Sequence, residues 1–219
     1  LSFTLLLALS TSIAQAATVR GTVSDTAGKP LQGVVVTDGY NFTQTNERGE
    51  YSLDSNLDKS RFVYLSVPGN YEIEQTKGIP DLFYQQLDKS KEINGHDFRK
   101  QPIDGFVYLA ISDPQTIDER QMKRFREETI PDLKQTIERY QGKEVYGMAL
   151  GDITWDRMDL FTPYKEAVSV LGIPMFSVIG NHDHDLRYPA LSNQKVTEES
   201  YAERIYEDHF GPYNYSFNV

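Results

Sequence analysis

The chain has no cysteine, which excludes disulfide staples, thiolate chemistry and sulfur-ligated metal centres. A cysteine-free chain suits an exported protein that avoids uncontrolled oxidation, but it suits many cytosolic proteins as well. Basic residues are in the minority, with 22 Lys and Arg against 32 Asp and Glu and a formal net charge of -10. Long-range repulsion therefore argues against a nucleic-acid backbone or an anionic lipid surface as the main partner. The carboxylates are available instead as cation ligands. No apolar run is long enough for a mature membrane-spanning helix, which takes roughly 20 residues. Histidine and tryptophan are scarce, at four and one, so their positions carry information. What is present, 39% hydrophobic and 12% aromatic residues in 219, is ample for a packed core in one or two domains.

Residues 1–16, LSFTLLLALSTSIAQA, carry no charge, run apolar and close on Ala14-Gln15-Ala16, the small-x-small pattern of a signal-peptidase site. They predict an exported protein, periplasmic or at the cell surface, with a mature chain starting near Ala17. Neither an initiator Met nor a basic segment precedes them, which reads as a clipped start.

Residues 17–104 alternate short β-branched or aromatic runs with turn residues: TVRGTV, GVVVTD, NFTQT, EYSL, RFVYLSV and a last extended stretch near HDF. This predicts an all-β sandwich. Gly28-Lys29-Pro30 and Asp38-Gly39 supply turns, and Val34, Val35 and Val36 form a strand apolar on both faces. The stretch resembles the carboxypeptidase-regulatory-like or transthyretin-like modules, which bind or position rather than catalyse. His96 and Asp97 are adjacent here and read as a solvated strand end.

From 105 to 219 the texture changes to alternating strand and helix. FVYLAIS reads as a buried strand ending on Asp113, EVYGMAL ends on Gly151-Asp152, and PMFSVI ends on Gly180-Asn181-His182. Between them, helices are predicted over about 117–140 and 158–171, which implies βαβ units and a parallel sheet. Thr116 and Glu119 have capping-box spacing, and Met122, Phe125, Ile130, Leu133, Ile137 and Tyr140 lie at helical intervals. Pro131 falls inside that helix and predicts a kink. Gly172 and Pro174 stop the second helix.

In a parallel sheet the residues past the strands' carboxyl ends converge on one crevice. Asp113 and Gln115, then Asp152, then Asn181 and His182 would therefore meet, delivering carboxylate, amide and imidazole from three separate segments. An aspartate after a strand is often only a helix cap; three such tips, SDPQ, LGD and GNHD, are hard to obtain by chance.

These blocks resemble the calcineurin-like metallophosphoesterases over about residues 105–219, most closely the exported subgroup with an N-terminal β-domain. The resemblance implies an α/β domain of four-layer α/β/β/α type, incomplete in this chain. It also implies two divalent metal ions (Mn, Mg, Fe or Zn), with Asp113 and Gln115 on the first, Asp152 bridging both and Asn181 on the second. His182 would face the substrate as a catalytic residue, and Asp183 would orient that imidazole or pair with neighbouring backbone. Two cations bridged by one carboxylate acidify a shared water, whose hydroxide attacks a phosphate mono- or diester. The partner is then a phosphoester small molecule or a cell-envelope substrate.

Gln115 stands where the family has His, which tilts the site from zinc or iron toward Mn or Mg. The family's further His and its Gly-His-x-His block are not in the sequence, and the YNYSFNV ending reads as the start of a strand, so the chain is expected to be a fragment. The rival reading is a non-catalytic surface protein whose β-module binds glycan or a receptor beside a degenerate phosphoesterase scaffold. A haloacid dehalogenase-type phosphatase is rejected, since Asp113-Pro114-Gln115 lacks its second carboxylate. His184 and Asp185 read as a solvated loop, His209 beside Asp208 as surface, and Trp155 as core or rim packing.

Overall fold

The computed structural model describes residues 16–184 and 199–217. The signal-peptide expectation covers residues 1–16, of which 1–15 lie outside this range, and Ala16 opens the first strand.

Strand β1 (Ala16–Asp25) alternates inward and outward residues, burying Ala17, Val19 and Val23. It pairs antiparallel with β4 (Glu50–Asn56) along its length. β2 (Val35–Thr37), β3 (Phe42–Gln44), β5 (Phe62–Leu65) and β8 (Tyr84–Gln86) form a second sheet in the order β3-β2-β5-β8. β6 (Gln75–Thr76) and β7 (Ile79–Pro80) make a small separate hairpin. β9 (Ile93–Gly95) and β10 (Phe98–Lys100) join the other edge of β1 in parallel. Gly21 lets them approach, because any side chain there would collide with the His96 carbonyl. The two sheets share one core that includes Val19, Val36, Leu53, Val63, Leu65 and Phe98, so this part is the expected β-sandwich.

The Asp38-Gly39 turn is a buried polar knot. The Asp38 carboxylate accepts from the amides of Tyr40 (3.0 Å) and Asn41 (2.7 Å) and from the hydroxyls of Ser55 (2.6 Å) and Ser60 (3.0 Å). Burial pushes its pKa up, but these donors outweigh burial and leave it below the ordinary 3.8. Asp97 is likewise tied in, accepting from the Thr22 amide and hydroxyl, both at 2.8 Å.

After the sandwich, β11 (Phe106–Ile111), β12 (Glu144–Ala149) and β13 (Met175–Ser177) form a parallel sheet in the order β11-β12-β13. Helix α1 (Glu119–Arg124) and helix α2 (Ile130–Glu138) are joined by a π-helical turn at Phe125–Thr129. The Ile130 amide reaches back to the Phe125 carbonyl. Widening the helix just ahead of Pro131 accommodates the proline ring, so the predicted kink takes the form of a π-bulge. The cap is Asp118, which accepts from the Gln121 amide at 2.8 Å, rather than the expected Thr116. A 3₁₀ turn at Met158–Leu160 leads into α3 (Phe161–Ser169), and α4 (Glu199–Phe210) follows.

The two faces of this sheet have different neighbours. Val145, Ala149 and Met175 pack against Met122, Phe161 and Tyr206 of the helices, while Tyr146 and Phe176 pack against Phe62, Tyr64 and Phe83 of the sandwich. Arg61 adds a charged tie, reaching Glu207 and Asp208 of α4 at 2.6 Å each. Strand β11, read from sequence as buried, lies at an edge of the sheet among the described residues, with Tyr108 37% exposed; only its Val107, Leu109 and Ile111 face packs on the helix-side core. Among the described residues there is one sheet here, with helices on one face and the sandwich on the other, and the second sheet of a four-layer arrangement is not among them. Among the described residues no helix is long and apolar enough to cross a membrane.

Candidate functional site

The loops leaving β11 and β12 stay paired beyond the sheet. Gln115 N–H donates to the Asp152 carbonyl at 2.8 Å, Thr116 bridges Thr154, and Trp155 N–H donates to the Thr116 carbonyl at 3.1 Å. The loop leaving β13 closes on them through Gly180, where a side chain would strike the Asp152 carboxylate and amide. Backbone strain is concentrated here. Asp113 (φ 37°), Gln115 (φ 40°), Asp152 (φ 46°) and Asp156 (φ 54°) all sit in the left-handed region without being glycine. Each costs about 1–3 kcal/mol, and such strain gathers where geometry serves a site.

Within the cluster, the Asp152 carboxylate accepts from the His182 amide at 3.1 Å through one oxygen and from the Gln115 side-chain amide at 3.2 Å through the other. The His182 Nδ1 lies 2.7 Å from Asp156 Oδ1. The same ring stacks on Trp155, centroids 3.8 Å apart and planes 21° from parallel. Asp183 is fully buried; one of its oxygens accepts from the amides of Ile153 (3.1 Å) and Gly180 (3.0 Å), the other from Thr154 (3.0 Å). Burial pushes the Asp183 pKa up to about 6; the three amides pull it down less than burial raises it, and the charge of Asp152 adds to the rise.

Of the residues picked from sequence, Gln115, Asp152, His182 and Asp183 are brought together by these bonds. Asp113 and Asn181 are exposed at the neighbouring loop ends. Of the two roles open to Asp183, the structure shows the pairing with backbone; the imidazole is held by Asp156. Asp156 was missed because nothing in GDITWD marks which acid will turn inward; its proximity to Asp152 in the same loop was the available signal. Trp155 was read as packing, and it does pack, against His182. His184 is half-buried, and Asp185 lies outside the described residues. His209 is on α4 with its ring against Phe161, and burial lowers its pKa, with Lys165 adding to the effect and Asp208 opposing it.

Among the described residues no group of three His, Cys, Asp or Glu converges closely enough to hold a metal ion. A cation here would need the amide oxygens too. The side chains expected there, Asp113, Gln115, Asp152 and Asn181, offer oxygen donors only, a chemistry that suits a hard divalent ion such as Mn²⁺ or Mg²⁺.

A family model described as the N terminal of Calcineurin-like phosphoesterase matches residues 17–103. The matched range is the sandwich, so a phosphoesterase context is supported at the level of that N-terminal domain. No curated protein matches the chain. Among solved structures, the Bacillus anthracis TIE protein shares 13% identity over 44% of this chain and 19% of its own, with a TM-score of 0.29. The shaft pilin SpaA from Lactobacillus rhamnosus GG shares 12% over 45% of this chain and 55% of its own, with a TM-score of 0.26. The chain thus spans less than two thirds of either, and likeness this slight carries no argument about fold or function.

Proposed function

We propose that the protein is an exported, metal-dependent phosphoesterase that hydrolyses phosphate mono- or diesters. The observation that supports this reading is the hydrogen-bonded cluster of Gln115, Asp152, His182 and Asp156, assembled from three separate loops on strained backbone at one end of a parallel sheet. The family match over residues 17–103 favours the same context.

In this reading Asp113, Gln115, Asp152 and Asn181 would hold two divalent cations. When bound, the cations supply a water acidified enough to attack phosphorus near neutral pH and a counter-charge for the phosphoryl oxygens. His182, its Nδ1 engaged by Asp156, has Nε2 left to hydrogen-bond or protonate the leaving oxygen. The Trp155 stack keeps the ring from turning away. Asp183 holds the amides of Gly180, Ile153 and Thr154, so the loops carrying Asp152 and His182 keep their spacing.

The test is hydrolysis of aryl phosphomonoesters and diesters by the mature protein with Mn²⁺, Mg²⁺, Zn²⁺ or chelator, alongside Asp152→Asn. Removing the Asp152 carboxylate should lower kcat/KM by roughly a hundredfold or more. Turnover near that of the unsubstituted protein in Asp152→Asn would overturn the reading, as would full activity in chelator.

A further inference from the structure

The cluster continues outward into an open cleft of about 560 Å³ lined by Gln115, Ile117, Gln121, Trp155, Asp156 and Arg157. Two of these residues are large apolar side chains left open: Trp155 is 42% exposed and Ile117 40%. Each sits within a few residues of the candidate site, one on either loop. The indole is also immobilised, since His182 covers one face at stacking distance. A fixed and half-open indole offers stacking area at little further entropic cost.

The charged groups of the cleft are already engaged: the Asp156 carboxylate is turned to His182 Nδ1 at 2.7 Å. The guanidinium of Arg157 is engaged by both oxygens of Asp159, at 2.8 and 2.6 Å, and donates to the Ile117 carbonyl at 3.0 Å. Its positive charge is therefore largely neutralised, and its plane is pinned beside the indole loop. Gln121 is similarly occupied, accepting from the Ile117 amide at 3.1 Å. A second phosphate would find no free cation among these side chains; a flat ring would find an indole, an aliphatic side chain and amide edges.

We infer that this cleft is the leaving-group subsite of the phosphoester site, and that it takes a planar aromatic ring, of aryl or nucleobase type, packed against the part of the Trp155 indole that His182 leaves uncovered. The inference rests on the phosphoester reading only for what lies beside His182. The ring is joined through the ester oxygen to a phosphoryl group at Asp152 and His182, so the loop after β12, which carries both Asp152 and Trp155, meets both halves of the ligand.

The experiment uses binding rather than turnover, so it stands apart from catalysis. Calorimetric titrations of the mature protein in saturating Mn²⁺ with methylphosphonate, phenylphosphonate and adenosine separate the phosphoryl group, the ring with phosphoryl, and the ring alone. Phenylphosphonate should bind roughly tenfold more tightly than methylphosphonate, as one stacked ring predicts. That ratio should fall to near one in Trp155→Ala, be largely kept in Trp155→Phe, and drop in Ile117→Ser in the same cleft. Because both phosphonates share the phosphoryl group, the ratio is unaffected by a general loss of folded protein. Methylphosphonate binding with no advantage for the phenyl compound overturns the ring subsite and leaves the phosphoester reading standing. Adenosine bound through Trp155 with neither phosphonate bound keeps the subsite and overturns the phosphoester reading. Binding of none of the three, or a tenfold ratio preserved in Trp155→Ala, overturns the subsite.

Discussion

Asp156 Oδ1 and His182 Nδ1 are 2.7 Å apart, although the two residues belong to loops that follow different strands. An imidazole gripped at one nitrogen by a carboxylate is fixed in orientation and tautomer. Asp156→Asn keeps the size of the side chain but loses the charge, and Asp156→Ala loses the contact. Both should lower kcat/KM by roughly 10- to 100-fold while leaving Mn²⁺ affinity within about twofold, because Asp156 is not in the proposed donor set. Steady-state kinetics with an aryl phosphoester, paired with metal titration, checks this. An equal loss of metal binding would move Asp156 from a positioning role to a ligand.

Asp183 makes a contrasting prediction. Its carboxylate satisfies three buried amides, and Asp183→Ala leaves all three without that acceptor at a cost of at least about 3 kcal/mol. Asp183→Asn keeps one carbonyl oxygen but turns an NH₂ toward amide donors, so it should be only partly protective. Urea unfolding should rank the proteins unsubstituted, then Asn, then Ala. Unchanged stability in Asp183→Ala would show that the loops keep their spacing by other means.

Gln115 lies 3.2 Å from Asp152 through its side-chain amide, so the position faces the Asp152 carboxylate directly. Gln115→His replaces a hard oxygen with an imidazole nitrogen and should shift preference from Mn²⁺ or Mg²⁺ toward Zn²⁺. Competition titrations of the three ions read the shift. An unaltered order of preference removes Gln115 from the donor set.

The sandwich carries its own pH test at Asp38. Its folded pKa is depressed below 3.8, so its contribution is complete well above that value and is lost as pH falls through the folded pKa. At pH 7, Asp38→Asn should cost about 2 kcal/mol, because four donors lose a charged acceptor. Below about pH 4 the difference should shrink as the unsubstituted carboxyl takes up its proton. Denaturant unfolding at neutral and acid pH measures both; a gap independent of pH would mean the hydroxyl and amide donors do not stabilise the ionised form.

The strand ends and their polar tips were legible in the sequence because they rest on short-range rules. Apolar runs stop at Asp113, Asp152 and Asn181, and parallel pairing does the rest. The β-sandwich was legible for the same reason, through turn residues such as Asp38-Gly39. Asp156 was not, since whether an acid turns inward depends on a left-handed φ that only the assembled loops impose. The place of β11 at an edge of the described sheet was also hidden, because FVYLAIS reads as apolar on both faces and the pattern does not say that Tyr108 is left partly exposed. Nor could the spacing of Thr116 and Glu119 reveal that Asp118 wins the cap.

Phe83, Phe176, Tyr215 and the residues around them make one aromatic cluster from segments on both sides of the sandwich boundary. Cutting the chain there would leave sticky wounds on both halves, so neither half should be graftable as a free-standing part. Exchanging the front module for another would demand that the newcomer carry a matching aromatic face. Divergence in the two halves is thereby yoked, and a change at Phe83 calls for an answering change at Phe176.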